Sequence, residues 1–583
     1  MVFMQVEHSF SGRRWELAHC DEDVARGIQH DHQIPAVIAR VLASRGVARA
    51  EAMDYLVPTL KRLLPEPRTL AHMDAAVARV AAAVRAGETI AVFGDYDVDG
   101  SCSTALMVGF LAAIGRPPRT YVPDRLSEGY GPNSAALLKL KAEGASLIIT
   151  VDCGAGAGAA LKAAGEAGLD VVVLDHHASD HAVPVLAQVN PNTGGDHSGL
   201  GHLCAAGISF LFLVALNRAL RESGFYAGSA EPNLMDFIDL VGLATVCDVV
   251  PLIGVNRAFV RAGLAKLSRL ERPGLKALAR IADVAPPFTP HHLGFVFGPR
   301  INAGGRVGRC GLGVDLLTCS DPALAEEYAL ALDTHNRERQ AIEKIILDEA
   351  IEQAARQEAS PFILVAGEGW HPGVVGIVAG RLKERFGKPA FVAGFEGGLG
   401  RGSARSVPGA NVGAMIRAAQ EAGVIESGGG HAMAAGFGLT PAQVEPFRVC
   451  LLDAFAKGGP IEEIPLAIDA TVSPGGATLT LARDLEQAGP YGAGSAEPML
   501  AVVDARVAFA DVVGRGHVRL RLVGGDGARL DAIAFRVGET PLGDALLKSR
   551  GAKIHAAGRL RAEEWNGNQR VQLHLDDAAP AGV

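Results

Sequence analysis

Between Glu88 and Asp175 the chain alternates short apolar runs with Ala-rich helical stretches. TIAVFGD closes an apolar run in a turn, SCSTALMVGFLAAIG follows with a helical run, and SLIITVD and LDVVVLD are two further apolar runs separated by AGAALKAAGEAG. Apolar runs this short, bounded by Gly and Asp, predict buried strands. Their alternation with helices predicts an α/β domain built on a doubly wound parallel sheet. Ligands of such sheets gather beyond the carboxyl ends of the strands. All three runs end in Asp, so that edge is where chemistry is expected.

Further along, AEEYALALDTHNRERQAIEKIILDEAIEQAARQ has helical periodicity, many charges and neither Gly nor Pro, which predicts a long connecting helix from Pro322 to Gln357. A second α/β segment runs from Pro361 to about Phe455 and ends at the turn-rich seam Lys457-Gly458-Gly459-Pro460. From Ile464 to His574 short alternating runs with Gly turns predict a small all-β barrel. The expected division is an N-terminal extension packed on the core (1–88), a catalytic α/β domain (89–321), a connecting helix (322–357), a second α/β domain (358–457) and the barrel (463–579).

Composition narrows the class. At 583 residues the chain is long enough for roughly three to four domains. With 49% hydrophobic and 20% charged residues it is globular. Charge, Gly or Pro interrupts every apolar stretch before it reaches membrane-spanning length, as Asn217 and Arg218 do after Ser209–Leu216. The N-terminus has no basic segment followed by an apolar core, so a cytoplasmic protein without a membrane anchor is expected. The eight cysteines form no CxxC pair, which argues against a zinc knuckle and a disulfide framework. A net charge of −9 argues against an evenly basic surface. It leaves room for a nucleic-acid groove, since basic residues can be gathered locally and clustered carboxylates are offset by a metal.

Those carboxylates stand at the predicted strand ends. Gly94-Asp95-Tyr96-Asp97-Val98-Asp99-Gly100-Ser101 places three acids at alternate positions between a strand and a helix. Such acids repel one another unless cations sit among them. One of them alone would serve equally as a helix cap. An EF-hand fits poorly, because a helix follows at once and Leu106 stands where the bidentate Glu belongs. Asp152 ends the next strand, and His176 and His177 end the one after, over the same sheet edge. Asp248 closes the apolar run ATVCDVVPL, where a buried acid is costly without a cation or donor.

In order and spacing, DYDVDG, TVDCG, LDHH and the Asp of ATVCDVVPL resemble the four motifs of the DHH phosphoesterase family. Gly298-Pro299-Arg300-Ile301-Asn302-Ala303-Gly304-Gly305-Arg306, together with WHPGVVGI, Gly402-Ser403-Ala404-Arg405-Ser406 and Gly428-Gly429-Gly430-His431, is similar to the RecJ branch and its DHHA1 domain. The resemblance implies a DHH domain, a DHHA1 domain and a C-terminal OB-like barrel, and a metal-dependent exonuclease that degrades single-stranded DNA from its 5′ end to mononucleotides. It further implies that Asp97, Asp99, Asp152, His176 and Asp248 hold two Mn²⁺ or Mg²⁺ ions, with Asp152 bridging. His177 would face the scissile phosphate and Asp95 would support the ligand shell. Many relatives carry His where this chain has Phe93, which implies a site completed by carboxylates and water.

Mixed carboxylate and imidazole donors suit Mn²⁺ or Mg²⁺, and Mn²⁺ tolerates nitrogen better. Arg125, Arg300, Arg306 and Arg405 are candidate phosphate clamps, because a planar guanidinium holds two phosphate oxygens at once. Asn302, Ser403, Gly429, Gly430 and His431 are grouped with them as substrate contacts. Each Arg could equally be an ordinary surface ion pair. In the barrel, Trp565, Phe509 and Phe535 with Arg519, Arg521, Arg559, Arg561 and Arg570 could bind a strand; aromatics at strand positions more often belong to a core. Single-stranded DNA is the expected partner of a monomer, with a single-strand-binding protein and a RecQ-type helicase implied by resemblance. Two alternatives stay open: another DHH hydrolase acting on short oligonucleotides or nucleotides, which would not need the barrel, and a non-catalytic DNA-binding scaffold, which would not need intact ligands.

Overall fold

A computed structural model describes residues 6–125, 127–179, 182–458, 464–565 and 568–581, without the side chains of Trp565 and Asn568. The first sheet contains five parallel strands in the order Arg119–Tyr121, Ile90–Phe93, Leu147–Val151, Asp170–Leu174 and Ala187–Val189. Strand side chains alternate between faces. Ile90, Val92, Ile149 and Val172 enter one core with the helices Met73–Ala86, Val98–Ala113 and Ala205–Glu222, while Ala91, Phe93, Ile148 and Val173 enter another with Ser134–Ala142 and Gly158–Glu166. Helices therefore cover both faces, which is why these strands are apolar throughout. Chain order reverses at Ile90–Phe93, which lies between the second strand in sequence and the third. The crevice at that switch is where this class of sheet binds ligands.

The helix Pro322–Ala355 has 34 residues, enough for about 50 Å at 1.5 Å per residue. It leads to a five-stranded mixed sheet ordered Ser427–Gly430, Ala434–Leu439, Leu399–Arg405, Ala390–Glu396, Ile363–Glu368. Beyond it, Leu500–Val513, His517–Val523, Arg529–Ala534, Asn568–Pro580 and Lys553–Trp565 pair in succession, and the first closes on the last. Closure removes both sheet edges.

The N-terminal extension does not pack as one unit on the catalytic core. Trp15–Leu17 pairs in parallel with Leu466–Ile468, and Ala25, Ile28, Ile38 and Leu42 share a core with Val502, Leu520 and Leu573 of the barrel. The Trp15 indole, fully buried, donates to Asp577 Oδ2 at 2.9 Å. Only from Leu60 onward does this segment join the catalytic core, chiefly through Met73–Ala86. The two ends of the chain thus build one body, and the barrel's hydrophobic core is incomplete without the first helices. All eight cysteines are free. No helix among the described residues is long and apolar enough to cross a membrane.

Candidate metal centre and phosphate cleft

Local geometry turns each strand end toward one crevice. Asp97 caps Val98–Ala113, its Oδ1 accepting from the Gly100 amide at 3.0 Å. A Cβ on Gly100 would fall 2.6 Å from the Asp95 carbonyl, so only glycine lets this turn fold back on itself. Asp99 is buried, and its two oxygens accept from the Ala205 and Ala206 amides at 2.6 and 2.8 Å, at the positive end of the helix Ala205–Glu222. Asp152 lies in the left-handed region (φ 60°), which swings it out of the strand line. Asp175 accepts from the Ala155 and His176 amides at 2.9 and 2.7 Å, and its Oδ1 lies 2.8 Å from His177 Nδ1. Asn192 and Asn190 donate to the His176 and His177 carbonyls.

These constraints converge on a single imidazole. His176 Nε2 lies 3.4 Å from Asp152, 3.7 Å from Asp248 and 3.8 Å from Asp99. Three overlapping donor sets result: Asp95, Asp97 and Asp152; Asp152, His176 and His177; Asp99, His176 and Asp248. Asp152 belongs to two of them, and His176 links the third. Burial and then the Asp97 charge push Asp95 up to about 8, and burial with Asp99 and Asp97 pushes Asp248 up to about 9. Burial and the surrounding acids also raise Asp152 well above the carboxylate range. Asp175 behaves differently: burial raises it, but the His177 hydrogen bond and charge outweigh that and hold it low. His177 is correspondingly raised, the bond to Asp175 outweighing burial.

Asp95 Oδ1, Asp152 Oδ1, His176 Nε2 and Asp248 Oδ2 are all buried with no hydrogen-bond partner among the described residues. Such groups are costly to bury together unless something satisfies them. A pair of divalent cations fits: it would satisfy all four and replace carboxylate repulsion by attraction. Phe93 contributes no donor; it is buried and stacks on Tyr121 at 5.2 Å.

Beside the acids opens a cavity of about 540 Å³ lined by Arg125, Gly305, Arg306, Gly308 and His371. Arg125 lies over the Tyr96 ring at 5.3 Å. Arg306 donates to the Gly373 carbonyl at 2.9 Å, and burial with the charges of Arg125, Arg339 and Arg405 lowers it to about 10. Arg405 is held by Ser403 Oγ at 2.9 Å. Crowded cations, half desolvated, are the mirror image of the crowded acids. They call for an anion.

The other expected contacts are placed differently. GPRINAGGR is the helix Gly298–Val307, so Arg300 and Arg306, six residues apart, point about 120° apart. Arg300 is committed to Asp333 at 2.9 Å and to the Val296 carbonyl. Asn302 Oδ1 accepts from the Val98 amide at 3.1 Å and so braces the acidic turn. Gly429 and Gly430 end an edge strand, with His431 just beyond it, and none of the three is among the residues lining the cavity; Arg417 donates to the Gly430 carbonyl at 2.7 Å. Sequence reasoning missed Asp175 and Tyr130, whose hydroxyl donates to the Asp152 carbonyl at 3.0 Å and lies 3.1 Å from His177 Nδ1. Asp175 carried a signal, ending a strand beside the two histidines. Tyr130 carried none beyond its place in the RLSEGYG segment.

On the barrel, Phe509 and Phe535 are 38% and 50% exposed, not core. Arg519 and Arg550 cover Phe509, and Phe535 meets His517 and His574 edge-on. The expected basic face is largely neutralised. Arg521 pairs with Asp531, Arg559 with Asp576, Arg561 with Glu497 and Arg570 with Glu563. The Trp565 side chain lies outside the described residues.

Models of the DHH family N-terminal domain, the DHHA1 domain and the RecJ OB domain match residues 89–245, 359–457 and 468–577. The single-stranded-DNA-specific exonuclease RecJ of Escherichia coli (strain K12) is 34% identical over 570 residues, covering 94% of this chain and 96% of that protein. The chain belongs to the RecJ family. The RecJ of Bacillus subtilis (strain 168) is 33% identical over 98% of this chain and 71% of its own length. Crystal structures of RecJ from Thermus thermophilus in complex with Mn²⁺ and with Mg²⁺ superpose with TM-scores of 0.82 and 0.76 at 29% and 28% identity. The first covers 97% of this chain and 79% of the Thermus chain, so the RecJ architecture extends over all the domains described above.

Proposed function

We propose that this chain is a metal-dependent exonuclease that hydrolyses single-stranded DNA from its 5′ end to mononucleotides. The observation that carries the reading is the juxtaposition of four unpartnered buried donors with a cleft of crowded arginines. Asp95, Asp97 and Asp152 would hold one divalent ion, and Asp99, His176 and Asp248 the other, with Asp152 shared between them. Bound Mn²⁺ or Mg²⁺ supplies Lewis-acid stabilisation of the phosphoryl transition state and acidifies water.

The chain's own groups do the rest. Arg306, Arg125 and Arg405, with Ser403, hold a terminal phosphate and so fix which linkage reaches the acids. His177, oriented by its bond to Asp175, would face the scissile phosphate and donate a hydrogen bond to its oxygen as charge develops. Asp152 is held by its left-handed backbone and by Tyr130, so the shared donor does not shift. In the cell the strand would be presented by a single-strand-binding protein and a RecQ-type helicase to a cytoplasmic monomer.

Digestion of 5′- and 3′-blocked strands, single- and double-stranded, DNA and RNA, with Mn²⁺ and with chelator, tests this. Release of mononucleotides from open 5′ ends of single-stranded DNA, abolished by chelator, is the expected result. Digestion from the 3′ end, or undiminished cleavage in chelator, would overturn it.

A further inference from the structure

Arg257 has no place in the chemistry above, yet its side chain is 1% exposed and its guanidinium is saturated. It donates to the carbonyls of Tyr55 (3.0 Å), Ala488 (2.8 Å), Gly489 (3.1 Å) and Pro490 (3.0 Å), and to Ser495 Oγ at 3.0 Å. It also lies over the Tyr55 ring at 3.7 Å. These partners are neutral. The Ala488 and Gly489 carbonyls lie at the end of the helix Leu479–Gln487, whose negative pole faces the buried cation. Three parts of the chain meet on one side chain: the N-terminal helices, the catalytic domain and the segment entering the barrel.

The neighbouring residue points the other way. Asn256, fully buried, donates from Nδ2 to the Pro251 carbonyl at 2.9 Å and the His202 carbonyl at 2.7 Å. Pro251 lies three residues after Asp248. His202 lies just before Ala205 and Ala206, whose amides hold both oxygens of Asp99. The barrel-side loop touches the same turn directly: the Leu252 amide donates to the Ala493 carbonyl at 2.8 Å, and Gly494 presses on Pro251 so closely that a Cβ would come within 2.8 Å of it.

We propose that Asn256 and Arg257 are positioning residues that set Asp248 and Asp99 from the barrel, so that the metal centre is completed by the 488–495 loop. This rests on the reading of those acids as metal donors. A guanidinium fork is suited to the task, because five fixed donors define an orientation that a lysine ammonium does not. Without the loop, the turn after Asp248 would lose the Leu252–Ala493 hydrogen bond and the packing of Gly494 on Pro251.

The test uses the full-length chain and reads Mn²⁺ binding by calorimetry and by the Mn²⁺ electron paramagnetic resonance signal, alongside kcat and KM on a 5′-phosphorylated dinucleotide. Gly494→Ala drives a methyl into Pro251. Gly527→Ala imposes the same backbone strain in another barrel turn (φ +82° against +63°) with nothing within 4 Å, and is the control. Gly494→Ala and Arg257→Lys should each weaken Mn²⁺ binding roughly tenfold and lower kcat with little change in KM, while Gly527→Ala binds Mn²⁺ as the parent does. Melting curves show whether each variant is folded. Parental Mn²⁺ affinity in both Gly494→Ala and Arg257→Lys, whatever their melting temperatures, would overturn the positioning role. Asp248→Asn separates the two levels: parental Mn²⁺ binding in that variant would sink the metal reading itself, and the inference with it.

Discussion

On the barrel, Arg559 and Arg561 pair with Asp576 and Glu497, and Arg570 with Glu563, in pairs that water still reaches. At the sheet edge Asp99, Asp152 and Asp248 surround His176, and Asp95, Asp152 and Asp248 each carry a buried oxygen that no described residue satisfies. Both regions are charged, but one has balanced its charges internally and the other has not. Exposed pairs of the first kind contribute about 0–1 kcal/mol and can be rearranged freely. The second kind is unstable as it stands and must be completed from outside. Imbalance under burial, rather than density of charge, marks the working site.

Removing a shared donor should therefore have the largest effect. Asp152→Ala is expected to lower kcat on the order of a thousandfold and to abolish the Mn²⁺-induced rise in melting temperature. That rise follows because an ion bound only by the folded state stabilises it by about 2.7 kcal/mol at a hundred times its Kd. Its persistence in Asp152→Ala would mean that the ions sit elsewhere. Asp175→Asn should cost less, roughly 10–100-fold, because it loosens His177 without removing a donor from the ions. The check is that its Mn²⁺ affinity stays near the parent's while its rate falls.

Smaller again is the contrast within one helix. Arg306→Ala should raise KM for 5′-phosphorylated strands more than for unphosphorylated ones, since it removes one of the two arginines that line the cavity. Arg300→Ala should instead lower stability by about 1–3 kcal/mol, because Asp333, 1% exposed, then keeps only Arg337, at 2.7 Å, among the described residues. Equal KM effects from the two would show that both arginines reach substrate.

That pair also shows where sequence reasoning stops. The strand-end acids were legible because the βα alternation puts the carboxyl ends of parallel strands, where Asp95, Asp152 and His176 stand, along one edge. Asp248 was legible as an acid ending an apolar helix. Arg300 and Arg306 share a motif, but a string of letters does not show which face of a helix meets the cavity. Tyr130 reaches Asp152 and His177 only through the fold. The sharing of a core by Ile28, Leu42 and the barrel depends on pairing Trp15–Leu17 with Leu466–Ile468, across almost the whole chain, and leaves no local trace. Deleting the barrel alone would thus uncover the N-terminal helices, so its role is better tested by single side chains.

The smallest effect is expected on the barrel itself and bears on whether its balanced surface binds DNA at all. Phe535 is half exposed, with His517 and His574 in T-shaped contact at 5.3 and 5.0 Å, so half of its surface is open to a base. Arg559, Arg561 and Arg570 are already paired with acids, so these cations are not free to release counterions from a bound strand. Stacking would then dominate, and Phe535→Ala should weaken long single strands by about 1–3 kcal/mol without altering the slope of affinity against salt. A dinucleotide confined to the cavity should bind as before. If the salt slope falls in Phe535→Ala, the ring is organising phosphate contacts and the surface is less neutral in the complex than its ion pairs indicate. If long strands bind unchanged, the barrel's contribution is confined to the contacts it makes with the catalytic domain.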